Sequence, residues 1–143
     1  MSKQHFKCLE RMYAAAPINV FFQPRLTVSE GEAEVVMEVR EDFHHTAGAV
    51  HGSVYFKAMD DASFFAANSL VEDVFVLTAS LTTKFLKPVV SGQLRAVGRV
   101  VDTDERRLHT AATLYDAAGH VVGEAEGTFA RSRIPLGPGV GYR

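Results

Sequence analysis

Tryptophan is absent from this chain of 143 residues, cysteine occurs once, at Cys8, and neither charge dominates. A single cysteine excludes an intrachain disulfide and any zinc site built on paired cysteines. Lys plus Arg number 15 against 17 for Asp plus Glu, a formal net charge of −2. A general nucleic-acid binder would need a clear basic surplus, so that class is set aside. No apolar run approaches the roughly 18–20 residues that span a bilayer. The opening Met1-Ser2-Lys3-Gln4-His5 has no apolar stretch behind it of the kind a secretory leader carries. These absences lead to the expectation of a soluble, cytoplasmic protein with no membrane partner.

What is present suits one domain with a substantial core, since 47% of the residues are hydrophobic and 22% charged. Residues 3–14 read as a short amphipathic helix, with Phe6, Leu9 and Tyr13 on one face, Ser2 as its cap and Pro17 as its stop. Residues 18–29 read as an irregular strand interrupted by Pro24, and residues 32–39 as a regular one. In the latter, Ala33, Val35, Met37 and Val39 alternate with Glu32, Glu34 and Glu38. Residues 52–70 are apolar around nearly the whole helical circumference, which predicts a helix buried on all sides. Ala58, Ala62 and Ala66 form a ridge of small side chains along it. Strands follow at 74–87, 93–103, 107–116 and 120–131, and turn signals at Ser91-Gly92, Asp102-Thr103-Asp104-Glu105 and Asp116-Ala117-Ala118-Gly119 predict three short hairpin connections, an antiparallel meander of all four. In the first of these, Phe75, Leu77, Ala79, Leu81 and Phe85 should share one face, and Thr78, Ser80, Thr82 and Lys84 the other. Pro135, Gly137, Pro138, Gly139 and Gly141 mark 134–143 as a mobile tail, leaving 1–133 as the domain. A single buried helix with five or six antiparallel strands is an α+β arrangement in which the sheet curls around the helix.

The loop before the central helix reads His44-His45-Thr46-Ala47-Gly48-Ala49-Val50-His51-Gly52-Ser53, and the helix then places Asp60 and Asp61 among apolar residues. In this the chain resembles the hotdog-fold acyl-CoA thioesterases of the phenylacetate-degradation (PaaI) type. That family shows an Asn or Gln, a glycine three residues later, a His-Gly-Gly at the helix start and an acid on the helix. Gly48, His51 and Gly52 fit, and Asp60 stands at the acid position. His45 takes the place of the Asn or Gln, and Ser53 that of the second glycine. The resemblance implies hydrolysis of an acyl-CoA without a cofactor, coenzyme A entering only as part of the substrate. It also implies dimers that share sites and often pair into tetramers. Thr78 falls where the family has a Ser or Thr that orients water beside the acid.

The residues support that chemistry independently. Unpaired N–H groups at a helix start, with the positive end of the helix dipole, stabilise a carbonyl oxygen as it gains charge. Gly52 lets such an oxygen approach closely, and Asp60 supplies a general base or a nucleophile. Eight residues of helix separate the two, about 12 Å, too far to serve one thioester from a single helix. Two helices across a two-fold axis would bring them together. Asp61 has Lys57 one turn earlier as a structural partner, whereas Asp60 has no cation on its face. His51 is a candidate site residue whose plainer role is to cap the helix. His44, His45 and His51 lack a carboxylate in register, so no metal is expected. Phe56 and Phe64 belong first to the core and second to an acyl pocket. Lys84, Lys87, Arg131 and Arg133 are candidate contacts to the coenzyme A phosphates.

Other functions are possible on such a frame. A non-catalytic module binding acyl-CoA or acyl-carrier protein would keep the fold, and His45 in place of the amide residue is the feature that favours it. A hydratase would need an Asp followed five positions later by His, yet Asp42 is followed by Ala47. A dehydratase would need a glutamate on the central helix, which has none.

Overall fold

The computed structural model describes residues 2–143. Helix α1 (Lys3–Ala14) and a single turn, α2 (Asn19–Phe22), precede the strand pair β1 (Arg25–Ser29) and β2 (Glu32–Glu38). The long helix α3 (Gly52–Ser69) follows, and then β3 (Val74–Phe85), β4 (Gln93–Thr103), β5 (Arg107–Tyr115) and β6 (Val121–Pro135). All six strands form one antiparallel sheet in the order β1-β2-β4-β5-β6-β3. The expected α+β architecture is therefore present, with α3 packed across the sheet.

The small-residue ridge explains how closely the helix sits. Ala58, Ala62 and Ala66 are fully buried. Opposite them on β4, a Cβ at Gly98 would lie 2.4 Å from the Ala62 carbonyl carbon, so backbone meets backbone there. Met37, Met59, Leu94 and Leu114 fill the space between helix and sheet. Removing such side chains from water stabilises the fold by roughly 1.5–3 kcal/mol each. A second cluster forms where Leu9, Met12 and Tyr13 of α1 close over Val28, Phe65 and Ala66.

Four expectations need correction. The meander holds only for β4, β5 and β6, because β3 pairs with β6 at the sheet edge and β4 takes β2 as its other neighbour. The irregular strand at 18–29 is a strand only from Arg25. Before it, Asn19–Phe22 make a helical turn, anchored by Asn19 Nδ2 donating to the Tyr13 carbonyl at 2.8 Å. Gln23 ends that turn at φ 48°, since Pro24 crowds the right-handed conformation of its predecessor.

The simple alternation across 74–87 also fails. The register with β6 shifts between Thr78 and Ser80, a bulge that re-aims the strand. Val76 is fully buried and Thr78 reaches α3, while Thr82 and Lys84 border an outer groove with Glu124 and Glu126. Thr78 thus leaves the polar face on which the alternation had put it.

The segment 134–143 is docked rather than loose. β6 runs through Pro135, Pro138–Val140 form a 3-10 turn, and Leu136, Val140 and Tyr142 pack on the α1 cluster. The glycines and prolines that suggested mobility shape that turn, as Gly141 at φ 83° illustrates.

Candidate active site

Asp60 lies on the half-buried side of α3 facing β3, where Thr78 Oγ1 donates a 2.9 Å hydrogen bond to its Oδ1. Burial pushes the Asp60 carboxyl up to about 6; the Thr78 bond opposes the rise, the neighbouring Asp61 adds to it and Lys57 reduces it. Asp61, one residue along, has a different fate. Its Oδ2 takes the Lys57 ammonium at 2.7 Å and the Tyr13 hydroxyl as a second donor. The same ammonium sits over the rings of Tyr13 and Phe22, 5.4 and 5.0 Å from their centroids. Burial drives the Asp61 carboxyl upward against Lys57 and Tyr13, and also raises the Tyr13 phenol. Asp61 is thus occupied by structural partners, whereas Asp60 has Thr78 as its one hydrogen-bond partner among the described residues. Asp60 and Thr78 open onto a cavity of about 600 Å³, with Met12, Phe64, Phe65, Phe75 and Leu77 among its walls.

The start of α3 opens elsewhere. His51 is its N-cap: Nδ1 accepts the Ser53 N–H at 3.1 Å and lies 2.8 Å from Ser53 Oγ. Val54 N–H bonds back to the His51 carbonyl, so among the described residues Gly52 N–H is left without an acceptor. It borders a second cavity, of about 290 Å³, together with His45, Tyr55, Phe85 and Lys87. His45 Nδ1 accepts the Ala47 N–H at 3.1 Å, and this acceptor role leaves the proton of a neutral ring on Nε2, a hydrogen-bond donor. The His51 side chain borders a different hollow, with Phe21, Phe43 and His44.

The structure therefore brings Asp60, Thr78 and Phe64 to one cavity and Gly52, His45 and Lys87 to another. No lining residue is common to the two. Phe56 is 40% exposed and borders neither. Lys84 faces the outer groove beside two glutamates. Arg131 donates to the Glu105 carbonyl at 3.3 Å, and Arg133 is exposed. Arg131 pairs with Val76, eight residues from Lys84 along β3, a span of roughly 26 Å. Within one chain those two cannot hold the same phosphate group. Among the described residues, no three His, Cys, Asp or Glu side chains converge as metal ligands, and no helix is long and apolar enough to cross a membrane.

Sequence reasoning missed Tyr13 as a partner of Asp61, and missed the walls that α1, α2 and the last residues add to the Asp60 cavity. The apolar face of 3–14 was the available signal for Tyr13, but nothing local ties that face to a carboxylate 48 positions later.

Residues 47–122 match the thioesterase superfamily. Over 102 residues the chain is 28% identical to a protein named as an esterase in Saccharolobus solfataricus, covering 71% of this chain and 68% of the relative. The fold is similar to that of the E. coli PaaI protein from the phenylacetic acid degradation operon, with a TM-score of 0.85, 20% identity, and 94% of this chain and 97% of that one covered. It is also similar to a thioesterase family protein from Silicibacter pomeroyi, with a TM-score of 0.81, 23% identity, and 88% and 96% covered.

Proposed function

Because the chain belongs to the thioesterase superfamily, we propose that it hydrolyses the thioester of a small aromatic or medium-chain acyl-CoA, releasing a carboxylate and free CoA. One observation supports this above others: Asp60, half-buried and held by Thr78, stands over a largely apolar cavity with its carboxyl raised to about 6. A base poised near neutral pH is what activation of water requires.

The ionised Asp60 takes a proton from water as the water oxygen attacks the thioester carbon, with Thr78 fixing the carboxylate. The carbonyl oxygen becomes an oxyanion facing the free Gly52 N–H, with His45 Nε2–H as a second donor. A donor of this kind contributes roughly 2.7–4 kcal/mol in a dry site. Collapse breaks the carbon–sulfur bond, and the thiolate leaves with the proton that Asp60 received. Asp60 acting instead as nucleophile would expel the CoA thiolate and form a mixed anhydride, which water opens at the Asp60 carboxyl carbon; ¹⁸O found in Asp60 after a single turnover in ¹⁸O-water marks that route. Lys87, beside Gly52, is the best placed of the four candidate cations for a phosphate of CoA, and Phe64 for the acyl group. His51 serves by holding the helix start open. The scheme uses no metal or organic cofactor.

The separation of the two half-sites supports a dimer, or a pair of dimers, in which each helix start faces the Asp60 cavity of its two-fold mate. We assign the enzyme to the cytoplasm, where acyl-CoA is available to a chain of this kind.

Thiol release from a panel of aryl and fatty acyl-CoA esters tests the reading. Asp60→Asn should lower kcat by about 10² or more, while Asp61→Asn should chiefly weaken the Lys57 and Tyr13 contacts and lower the melting temperature. Equal turnover by Asp60→Asn and wild type would overturn the assignment.

A further inference from the structure

The Asp60 cavity is closed on one side by an element that the reaction scheme does not use. Gly139, Val140 and Gly141 border it, as do the aromatic side chains of Phe64, Phe65 and Phe75. Four sets of contacts hold them there. Leu136 N–H donates to the Asp73 carbonyl at 3.0 Å, and Val140, Gly141 and Tyr142 N–H groups fold back on the Gly137 and Pro138 carbonyls at 3.1 Å. A Cβ at Gly141 would stand 3.4 Å from the Ala15 Cβ and 3.6 Å from the Met12 Cα, so this turn lies directly against the end of α1. The Tyr142 hydroxyl lies 2.8 Å from His5 Nδ1, and His5 Nε2 lies 2.9 Å from the Asn68 carbonyl. A carbonyl only accepts, so Nε2 carries the ring proton and Nδ1 receives the Tyr142 hydroxyl proton. His5 is itself buried, and this chain of bonds runs from the part-buried Tyr142, beyond the end of β6, through α1 to α3.

We propose that residues 136–142 are a specificity element of the acyl cavity, with Val140 as its outer wall and Tyr142 as the latch that fixes the wall's distance from the aromatic side chains. The inference rests on the thioesterase reading and adds to it the device that sets the size of the acyl group. Val140 sits on a turn whose end is held by the part-buried Tyr142–His5 bond, so a change in its volume changes the depth of the cavity without altering Asp60 or Thr78. A cavity of about 600 Å³ is within the range that encloses small ligands. One methylene in an apolar pocket alters discrimination by roughly tenfold or more.

The measurement is the ratio of kcat/KM for decanoyl-CoA to that for butyryl-CoA, with calorimetric binding of decanoate as an arm that needs no turnover. Val140→Phe should lower the ratio by about tenfold or more and weaken decanoate. Val140→Ala should move both in the opposite direction. Tyr142→Phe, which removes only the hydroxyl, should follow Val140→Ala. Opposite responses to filling and to loosening are a signature that general damage to the fold does not produce. If wild type hydrolyses the esters and all three variants keep its ratio, the specificity element is refuted while the thioesterase reading stands. If wild type hydrolyses no CoA ester, that reading fails and the decanoate arm decides. Decanoate affinity that differs in sign between Val140→Phe and Val140→Ala supports the wall, and equal affinity or no binding at all refutes it.

Discussion

Asp60 and Asp61 are chemically identical neighbours, and their surroundings alone give them different tasks. Asp61 answers to Lys57 and Tyr13, while Asp60 has a hydroxyl for company and a cavity in front. Burial favours the uncharged acid, so the Asp60 carboxyl rises to about 6. In the proposed role of base it would work only when ionised. The expected profile of kcat/KM therefore climbs with pH on a limb centred near 6 and levels above it. The Thr78 bond favours the ionised form, so Thr78→Val should move that limb to higher pH and lower the rate on its acid side. An unshifted limb in Thr78→Val would show that the hydroxyl does not tune Asp60. The sequence made part of this legible: Lys57 one helical turn before Asp61 separates the two carboxylates by local spacing. It could not show Tyr13, which arrives from another helix, because such a contact depends on packing.

Elements were read most securely where periodicity and burial agree. The helix over 52–70 and the strand over 32–39 appear nearly residue for residue as α3 and β2. The failures share a cause. Alternation in 74–87 carries no mark of an extra residue, so the bulge that turns Thr78 toward α3 is invisible until β6 is paired beside it. The composition of 134–143 suggested freedom, yet Leu136, Val140 and Tyr142 anchor it, and glycine or proline between anchors makes a turn as readily as a loose end. The contact of α3 with β4 gives a prediction at this scale. Gly98→Ala would drive a methyl group to within 2.4–2.6 Å of the Ala62 carbonyl and Ser63 N. Backbone cannot swing aside as a long side chain can, so the helix must lift from the sheet. Overpacking of this kind costs about 1–3 kcal/mol, to be read as a lowered midpoint in urea; a midpoint equal to wild type would mean that α3 sits farther from β4.

At the level of the whole molecule, one buried helix with five or six antiparallel strands was enough to expect a sheet curled around a helix, but not the strand order, since β3 pairs with β6 rather than with β4. The two halves of the proposed site are harder to see, because each is a respectable cavity on its own. Gly52 and Asp60 are separated by about 12 Å of helix and face different hollows. On the proposed reading, a lone chain would offer a thioester a base without an oxyanion donor, or a donor without a base. The sheet ends at β3, a strand of twelve residues whose Leu77 and Phe85 are 47% and 55% exposed, so an edge flanked by apolar side chains is open to a second copy. An isologous contact would set each Gly52 opposite its partner's Asp60 and generate two sites. Complementation tests this directly. Asp60→Asn removes the base. Gly52→Val obstructs the approach to the N–H, yet its Cβ would only touch the Phe85 ring at 3.5 Å, so the chain should still fold. Each variant alone should be inactive, since both of its sites carry a lesion. In a mixed dimer one site carries both lesions and the other neither. Equal mixing makes half the dimers mixed, and each of those has one intact site of two, so about a quarter of wild-type turnover should return. Recovery should track the fraction of mixed dimers as subunits exchange. Mixtures that stay inactive after exchange is demonstrated by mass would mean that one chain brings base and donor together by itself, and the two-cavity geometry would then have to close by a movement of α3 or its neighbours.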